Sequence, residues 1–324
     1  MTVSSEPIPH WPGRLVDLGD QQVYVRSAPS EEGAEPALFV HGLEGSSRNW
    51  TDLMDLLRPV LACDAVDLPG FGDSPPRADG RYSIAALART VIALIEKLIE
   101  KQPAQKVHLV GNSLGGAVCV KVAATRPDLI KTLTLVSPAL PDSRPRLDLI
   151  RFPLMSLPRV GQRLVKAYQV LPPERRVADV ITTCFGEPEL FQQARFATEV
   201  TELSRRDELG YAASVLMGSV RTLTAEFVRK GRHSAWRDAA RVTAPALVIY
   251  GSRDRLVDAR MAGRAAHQFA DARVVVLPRT GHVAHMEHPD AVADEIGVLL
   301  GIPGGFRRLT QARAGEGNTP PVRY

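Results

Sequence analysis

Residues 107–127 read VHLVGNSLGGAVCVKVAATRP and hold one serine between glycines where a strand gives way to a helix. Val107, His108, Leu109 and Val110 form a short apolar run with the look of a buried strand. Leu114, Val118 and Val122 recur at helical spacing, and Arg126-Pro127 stops the helix. Between the two lies Gly111-Asn112-Ser113-Leu114-Gly115, which fits G-x-S-x-G. In that pattern a sharp strand-to-helix turn presents the serine hydroxyl at the top of a sheet. A plain glycine turn with an N-capping serine would give the same five residues. The rest of the chain discriminates between the two.

The strand-helix alternation runs along most of the sequence. Residues 14–17 and 22–26 flank Gly19-Asp20 as a hairpin, and 36–40, 61–66, 132–136, 246–250 and 274–277 read as further strands. Helical spacing appears from Trp50 to near Pro59 and over 84–101, 261–269 and 289–300. Short apolar strands alternating with amphipathic helices build an α/β fold around a parallel sheet. From 141 to 240 no buried strand can be read. Helices are predicted there at 161–171, 174–185, 187–204 and 207–229, the last with a stripe of Leu216, Val220, Leu223 and Phe227. The sheet pattern is completed only after this segment. It therefore reads as an all-helical cap inserted late in the sheet, with a separate helical domain as the alternative. The expected organisation is a core at 1–140 and 241–302, a cap at 141–240 and a disordered tail at 303–324, rich in Gly, Pro and polar residues.

Composition removes several function classes. The net charge of +4 is spread along the chain with no dense basic arm, which argues against nucleic acid as a partner. Cys63, Cys119 and Cys184 are odd in number and widely spaced, so neither a disulfide framework nor a zinc site is expected. No apolar stretch reaches membrane-spanning length, and MTVSSEPIPHWPGR lacks the apolar centre of a signal peptide. The expected location is the cytoplasm. No nucleotide-binding glycine loop occurs, and no cofactor is implied.

A serine hydroxyl needs a base within hydrogen-bond reach, a third group to orient that base, and N–H donors for the oxyanion. Each has a candidate. The base is His282 in RTGHVAHMEHP, on a loop at the carboxyl edge of the sheet; Gly281 before it frees the backbone for an unusual turn. His285 is a candidate pocket-lining residue, and His288 reads as a cap or a solvent-facing side chain. The orienting acid is Asp254 in LVIYGSRDRLV, with Asp258, at an expected helix N-cap, as the alternative. One oxyanion donor is the Leu114 N–H, at the positive end of its helix. The other is the Leu43 N–H, in the loop His41-Gly42-Leu43-Glu44-Gly45 that ends an apolar strand. His41 is expected to hold that loop by hydrogen bonds, and Glu44 to be exposed. The order Ser113, Asp254, His282 along the chain is the order that accompanies the serine elbow.

With FVHGLEGSSRNW, DLPGFGDS, VGNSLGGAV, YGSRDRLV and GHVAHMEHP in place, the chain resembles the α/β-hydrolase fold family over about residues 14–302. The resemblance implies a mostly parallel eight-stranded sheet flanked by helices, with a helical cap after the sixth strand. It also implies Ser113 as nucleophile, His282 as base and Asp254 as orienting acid. Asp-dependent dehalogenases and epoxide hydrolases are disfavoured by the serine. Asn112 is similar to the residue before the nucleophile in carbon–carbon bond hydrolases of ring-cleavage dienoates. Those carry a tryptophan after the histidine, where this chain has Val283. The expected activity is hydrolysis of a small-molecule carboxylic ester with a hydrophobic acyl group. Phe152, Leu154, Met155, Phe185, Phe196, Leu216, Met217 and Phe227 supply the apolar cap residues. The alternatives are the dienoate hydrolase, an acyltransferase, and a non-catalytic ligand receptor. The oligomeric state is not readable from the sequence.

Overall fold

The apolar runs assemble into one twisted sheet. The structure, a computed structural model, describes residues 7–102, 104–142, 154, 156–228 and 234–302, with the backbone of 322–323. The strands are β1 (Gly13–Asp17), β2 (Gln22–Ser27), β3 (Glu35–Val40), β4 (Leu61–Val66), β5 (Val107–Asn112), β6 (Ile130–Val136), β7 (Ala246–Gly251), β8 (Ala272–Leu277) and β9 (Val322–Arg323). Their spatial order is β1-β2-β4-β3-β5-β6-β7-β8-β9. β3 through β8 run parallel; β1, β2 and the two-residue β9 pair antiparallel at the edges.

The helices of the core are α1 (Thr51–Leu57), α2 (Ile84–Leu98) and α3 (Leu114–Thr125), and after the sixth strand's excursion α9 (Met261–Gln268), α10 (Ala284–Glu287) and α11 (Pro289–Leu299). Strand alternation splits the core in two. Leu38, Val40, Leu109 and Leu135 point to the face covered by α2, α3 and α9. Ala37, Phe39, Val110 and Val136 point to the face covered by α1 and α11. Both faces being covered explains why β5 and β7 are buried along their whole length. α3 is apolar nearly all round because it lies between the sheet and α2.

The described regular elements between β6 and β7 are all helical: besides 3-10 turns they are α4 (Pro158–Gln169), α5 (Pro173–Cys184), α6 (Phe196–Glu208), α7 (Ala212–Val228) and the short α8 (Ala235–Ala239). Two details differ from the sequence expectation. The helix expected at 187–204 is two 3-10 turns, Pro188–Leu190 and Gln193–Arg195, followed by α6. The helix expected at 207–229 starts at Ala212, after α6 has run to Glu208 and the chain has turned at Leu209-Gly210. Its buried side is Val215, Ser219, Val220 and Glu226, whereas Phe227 of the expected stripe is 43% exposed. Phe152, Met155 and residues 303–321 lie outside the described residues, as does most of the tail expectation. No described helix is long and apolar enough to cross a membrane.

The sheet order places the future site. The chain steps from β3 to β4 on one side and then returns to β5 on the other side of β3. Loops leaving the carboxyl ends of β3 and β5 therefore open a crevice at the reversal point, where open α/β sheets hold ligands.

Candidate active site

Ser113 sits at that crevice, between the end of β5 and the first turn of α3. Its backbone is left-handed, with φ 52° and ψ −116°. This costs a non-glycine residue on the order of 1 kcal/mol. The surroundings hold it there. Its N–H donates to the Val136 carbonyl at 3.0 Å, and its own carbonyl accepts from Ala117 and Ala139 N–H at 3.0 and 2.9 Å. Gly111 and Gly115 face one another across the turn, and a Cβ on Gly115 would lie 2.2 Å from the Val40 carbonyl oxygen. Only small residues let α3 start this close to β3. The Leu114 N–H lies at the positive end of α3.

The loop after β3 runs directly beside the serine. A Cβ on Gly42 would stand 3.1 Å from Ser113 Cβ and 2.7 Å from Asn112 Oδ1. Gly45 N–H closes a turn onto the Gly42 carbonyl at 3.1 Å, with Glu44 left-handed at φ 59°. His41 is fully buried and anchors this turn. Its Nε2 accepts from Leu68 N–H at 2.9 Å and its Nδ1 lies 2.7 Å from the Gly42 carbonyl, an arrangement that needs the neutral Nδ1–H tautomer. Burial lowers its pKa and favours that neutral form. Glu44 is exposed, as expected, yet it is not isolated: Arg206 of α6 donates to its carbonyl oxygen at 2.6 Å. Nothing local in the sequence points to Arg206.

His282 follows β8 on a loop threaded against the segment between β6 and β7. Its N–H donates to the Cys184 carbonyl at 2.6 Å, and a Cβ on the preceding Gly281 would lie 2.3 Å from the same oxygen. Its Nδ1 lies 2.9 Å from Asp254 Oδ2, with both side chains buried. Asp254 Oδ1 accepts from Leu256 and Val257 N–H at 2.8 and 2.9 Å. Burial pushes the Asp254 carboxyl pKa up, but His282 and those two N–H groups outweigh it, and the net shift is downward. Asp258 instead accepts from Arg260 N–H at 3.0 Å in the turn before α9, whose N-cap is Arg260 and not, as expected, Asp258. Asn112 ties the two halves together. Its Nδ2 donates to the Val136 carbonyl at 3.0 Å and to the His282 carbonyl at 3.1 Å, so it spans from the serine turn to the histidine loop.

Asp254 and His282 are thus brought together, and Gly42 and Asn112 flank Ser113. Among the described residues no hydrogen bond joins Ser113 Oγ to His282. Such bonds often tighten only with substrate bound.

The other two histidines have different places. His285 does not line a pocket: it stacks on Trp50 with ring centroids 4.1 Å apart, fully buried, and its Nδ1 has no partner. Burial and then the nearby His282 lower its pKa to about 3. An unfolded histidine binds a proton near its ordinary value of 6.5, so between there and about 3 the unfolded chain holds the extra proton. Stability is full above that window and falls as pH drops through it, by up to about 1.4 kcal/mol per pH unit. His285→Phe keeps the stacking and removes the protonation. Urea melts from pH 7 to 4 should show a shallower acid loss for this variant; parallel curves would refute the assignment. His288 stands at the N-cap position of α11 without a side-chain cap bond.

Glu287 is the residue the sequence did not reveal. Its buried carboxylate accepts from Gly281 and Glu187 N–H at 2.7 Å each and from Gly186 N–H at 3.1 Å. It thereby fixes the His282 loop to the chain leaving α5. Glu287→Ala would strand three N–H groups and cost about 3 kcal/mol, readable as a lower denaturation midpoint. A midpoint unchanged within error would contradict this role.

Comparison with known proteins gives the relationship. The alpha/beta hydrolase fold pattern matches residues 36–289. The chain is 26% identical to the dihydrolipoyllysine-residue acetyltransferase component of the acetoin cleaving system of Pseudomonas putida, over 83% of this chain but 64% of that protein. It is 26% identical to monoacylglycerol lipase abhd6-B of Xenopus laevis, over 81% of this chain and 74% of that one. In solved structures it resembles a 2-hydroxy-6-oxo-6-phenylhexa-2,4-dienoate hydrolase from a Rhodococcus strain, with a TM-score of 0.71 at 20% identity, covering 89% of this chain and 98% of the other. The last likeness concerns the fold alone. The chain belongs to the alpha/beta hydrolase fold family.

Proposed function

We propose that the chain is a serine hydrolase that cleaves carboxylic esters with a hydrophobic acyl group. The observation that carries this reading is the left-handed Ser113 at the mouth of the sheet, with the buried His282–Asp254 pair tied to it through Asn112. The relationship to a monoacylglycerol lipase supports ester chemistry.

In this reading His282 Nε2 takes the Ser113 proton as Oγ adds to the substrate carbonyl. The Nδ1–H of the resulting imidazolium is held by Asp254, whose carboxylate stays ionised. The Leu43 and Leu114 N–H groups receive the oxyanion. Collapse of the tetrahedral adduct breaks the ester C–O bond, and His282 returns the proton to the leaving alkoxide. Water then attacks the acyl-enzyme with His282 again as base, releasing the acid and restoring Ser113.

The helical segment 141–240 acts as a cap on the core formed by 1–140 and 241–302. Its contacts to the core support this: Cys184 to His282, Glu187 to Glu287, and Arg206 to Glu44. Phe185, buried against Phe191, and the half-buried Phe196, Leu216 and Met217 are the cap residues best placed by burial to meet an acyl chain. Arg206 acts as a positioning residue. By holding the Glu44 carbonyl it fixes the turn that carries Leu43. Arg206→Ala should lower kcat about tenfold with a smaller change in KM, and Arg206→Lys should restore part of it. Equal losses in both variants, confined to KM, would contradict that role.

The test is turnover of p-nitrophenyl esters of increasing acyl length. A chain-length optimum is expected. No turnover at any length, with turnover of a ring-cleavage dienoate or acyl transfer to an added thiol, would overturn the ester reading in favour of those reactions.

A further inference from the structure

α4 is the most sharply amphipathic of the described helices, and only part of its apolar surface is used. Gly161 and Val165 are buried, and Tyr168 is held beneath the Arg176 guanidinium, which lies 5.0 Å from its ring. This stripe anchors the helix. Beside it lie Leu157, Val160 and Leu164, which are 49%, 38% and 40% exposed. At 3.6 residues per turn these three fall within an arc of roughly 60°. Arg159, Arg163 and Lys166 are all exposed and fill a second arc, about 120° further round. No Asp or Glu occurs anywhere from 149 to 173, although Asp+Glu nearly equals Lys+Arg over the whole chain.

Three aliphatic side chains grouped on one edge of a helix form an apolar strip of the kind that marks an interaction surface. The charge pattern selects the occupant. A second copy of this chain would set like basic stripes close together at a two-fold contact, which is repulsive. A nucleic acid would satisfy the cations and leave the aliphatics exposed. An anionic lipid surface satisfies both. The aliphatics enter the boundary between headgroups and acyl chains, and the long Arg and Lys stems reach up to the phosphates. We infer that the exposed face of α4, Leu157, Val160 and Leu164 with Arg159, Arg163 and Lys166, docks the protein on anionic lipid bilayers.

The inference does not depend on the reading of Ser113, and its test does not use activity. The full chain is floated with vesicles of phosphatidylcholine alone and of phosphatidylcholine with phosphatidylglycerol. Binding is expected to the anionic vesicles, with little to the neutral ones, and to weaken at roughly 0.5 M salt, where screening is short-ranged. Leu157→Ser/Val160→Ser/Leu164→Ser and Arg159→Gln/Arg163→Gln/Lys166→Gln should each reduce binding about tenfold or more. The charge variant should also lose the salt dependence. All six residues are exposed, so both variants should melt like the wild type. Failure of the wild type to float, or flotation unchanged in both variants, overturns the inference. So does a dimer of the wild type in sedimentation that the serine variant converts to monomer, since the face would then be covered by a second copy.

Discussion

Ser113→Ala is expected to lower kcat/KM for ester hydrolysis by about 10⁵-fold, because on the proposed reading it removes the nucleophile and leaves only binding and the oxyanion donors. The loss should appear in kcat, with KM little changed. Burial and packing predict no loss of stability: Ser113 is only half-buried, and its structural bonds are made by the backbone. A companion variant separates chemistry from fold. Ser113→Gly should be equally inactive yet more stable by about 1 kcal/mol, since glycine relieves the left-handed backbone at φ 52°. Calorimetry would register this as a rise of roughly 2 °C in Tm. A Gly variant less stable than wild type would mean that the serine side chain, not the surrounding backbone, holds the turn.

Asp254→Asn has the second largest expected effect, about 10⁴-fold in kcat near neutral pH. The reason is directional. Oδ1 accepts two backbone N–H groups, from Leu256 and Val257, so an asparagine would keep its carbonyl oxygen there. Its amide would then point N–H at His282 Nδ1, where a carboxylate now accepts. The imidazole would have to carry its proton on Nε2 and could no longer take one from Ser113. Fold and stability should change little, because the shape is unaltered. Activity in Asp254→Asn within tenfold of wild type would show that His282 is oriented by some other group.

The strands, the serine turn and its chain order were legible because each rests on short-range patterns. An apolar run ends in glycine and a helix begins at once at Val110–Gly115, and an apolar run ends in His-Gly at Val40–Gly42. Asp254 could be preferred over Asp258 because it follows β7 by a short glycine-led loop, whereas the N-cap place expected for Asp258 is taken by Arg260. The long-range ties were not legible. Glu287 meets Gly186 about a hundred residues away, through backbone N–H groups that have no sequence signature. Arg206 reaches a carbonyl of the Glu44 turn in the same way. His285 was assigned to a pocket because it neighbours His282, yet α10 turns it through a helical step onto Trp50. The stripe expected on α7 failed at Phe227 for a related reason. Periodicity shows which residues share a face, but not which face the core takes: on α7 Val215, Ser219 and Glu226 form the buried line, and Phe227 lies off it.

The central claim is that Ser113 carries the acyl group during turnover. Its most direct test is acid-quenching the enzyme during hydrolysis of a p-nitrophenyl ester and locating the acyl mass by peptide mapping. The acyl group is expected on the peptide bearing Ser113, and absent from Ser113→Ala. An acyl group on any other residue, or sustained turnover by Ser113→Ala, would contradict the account.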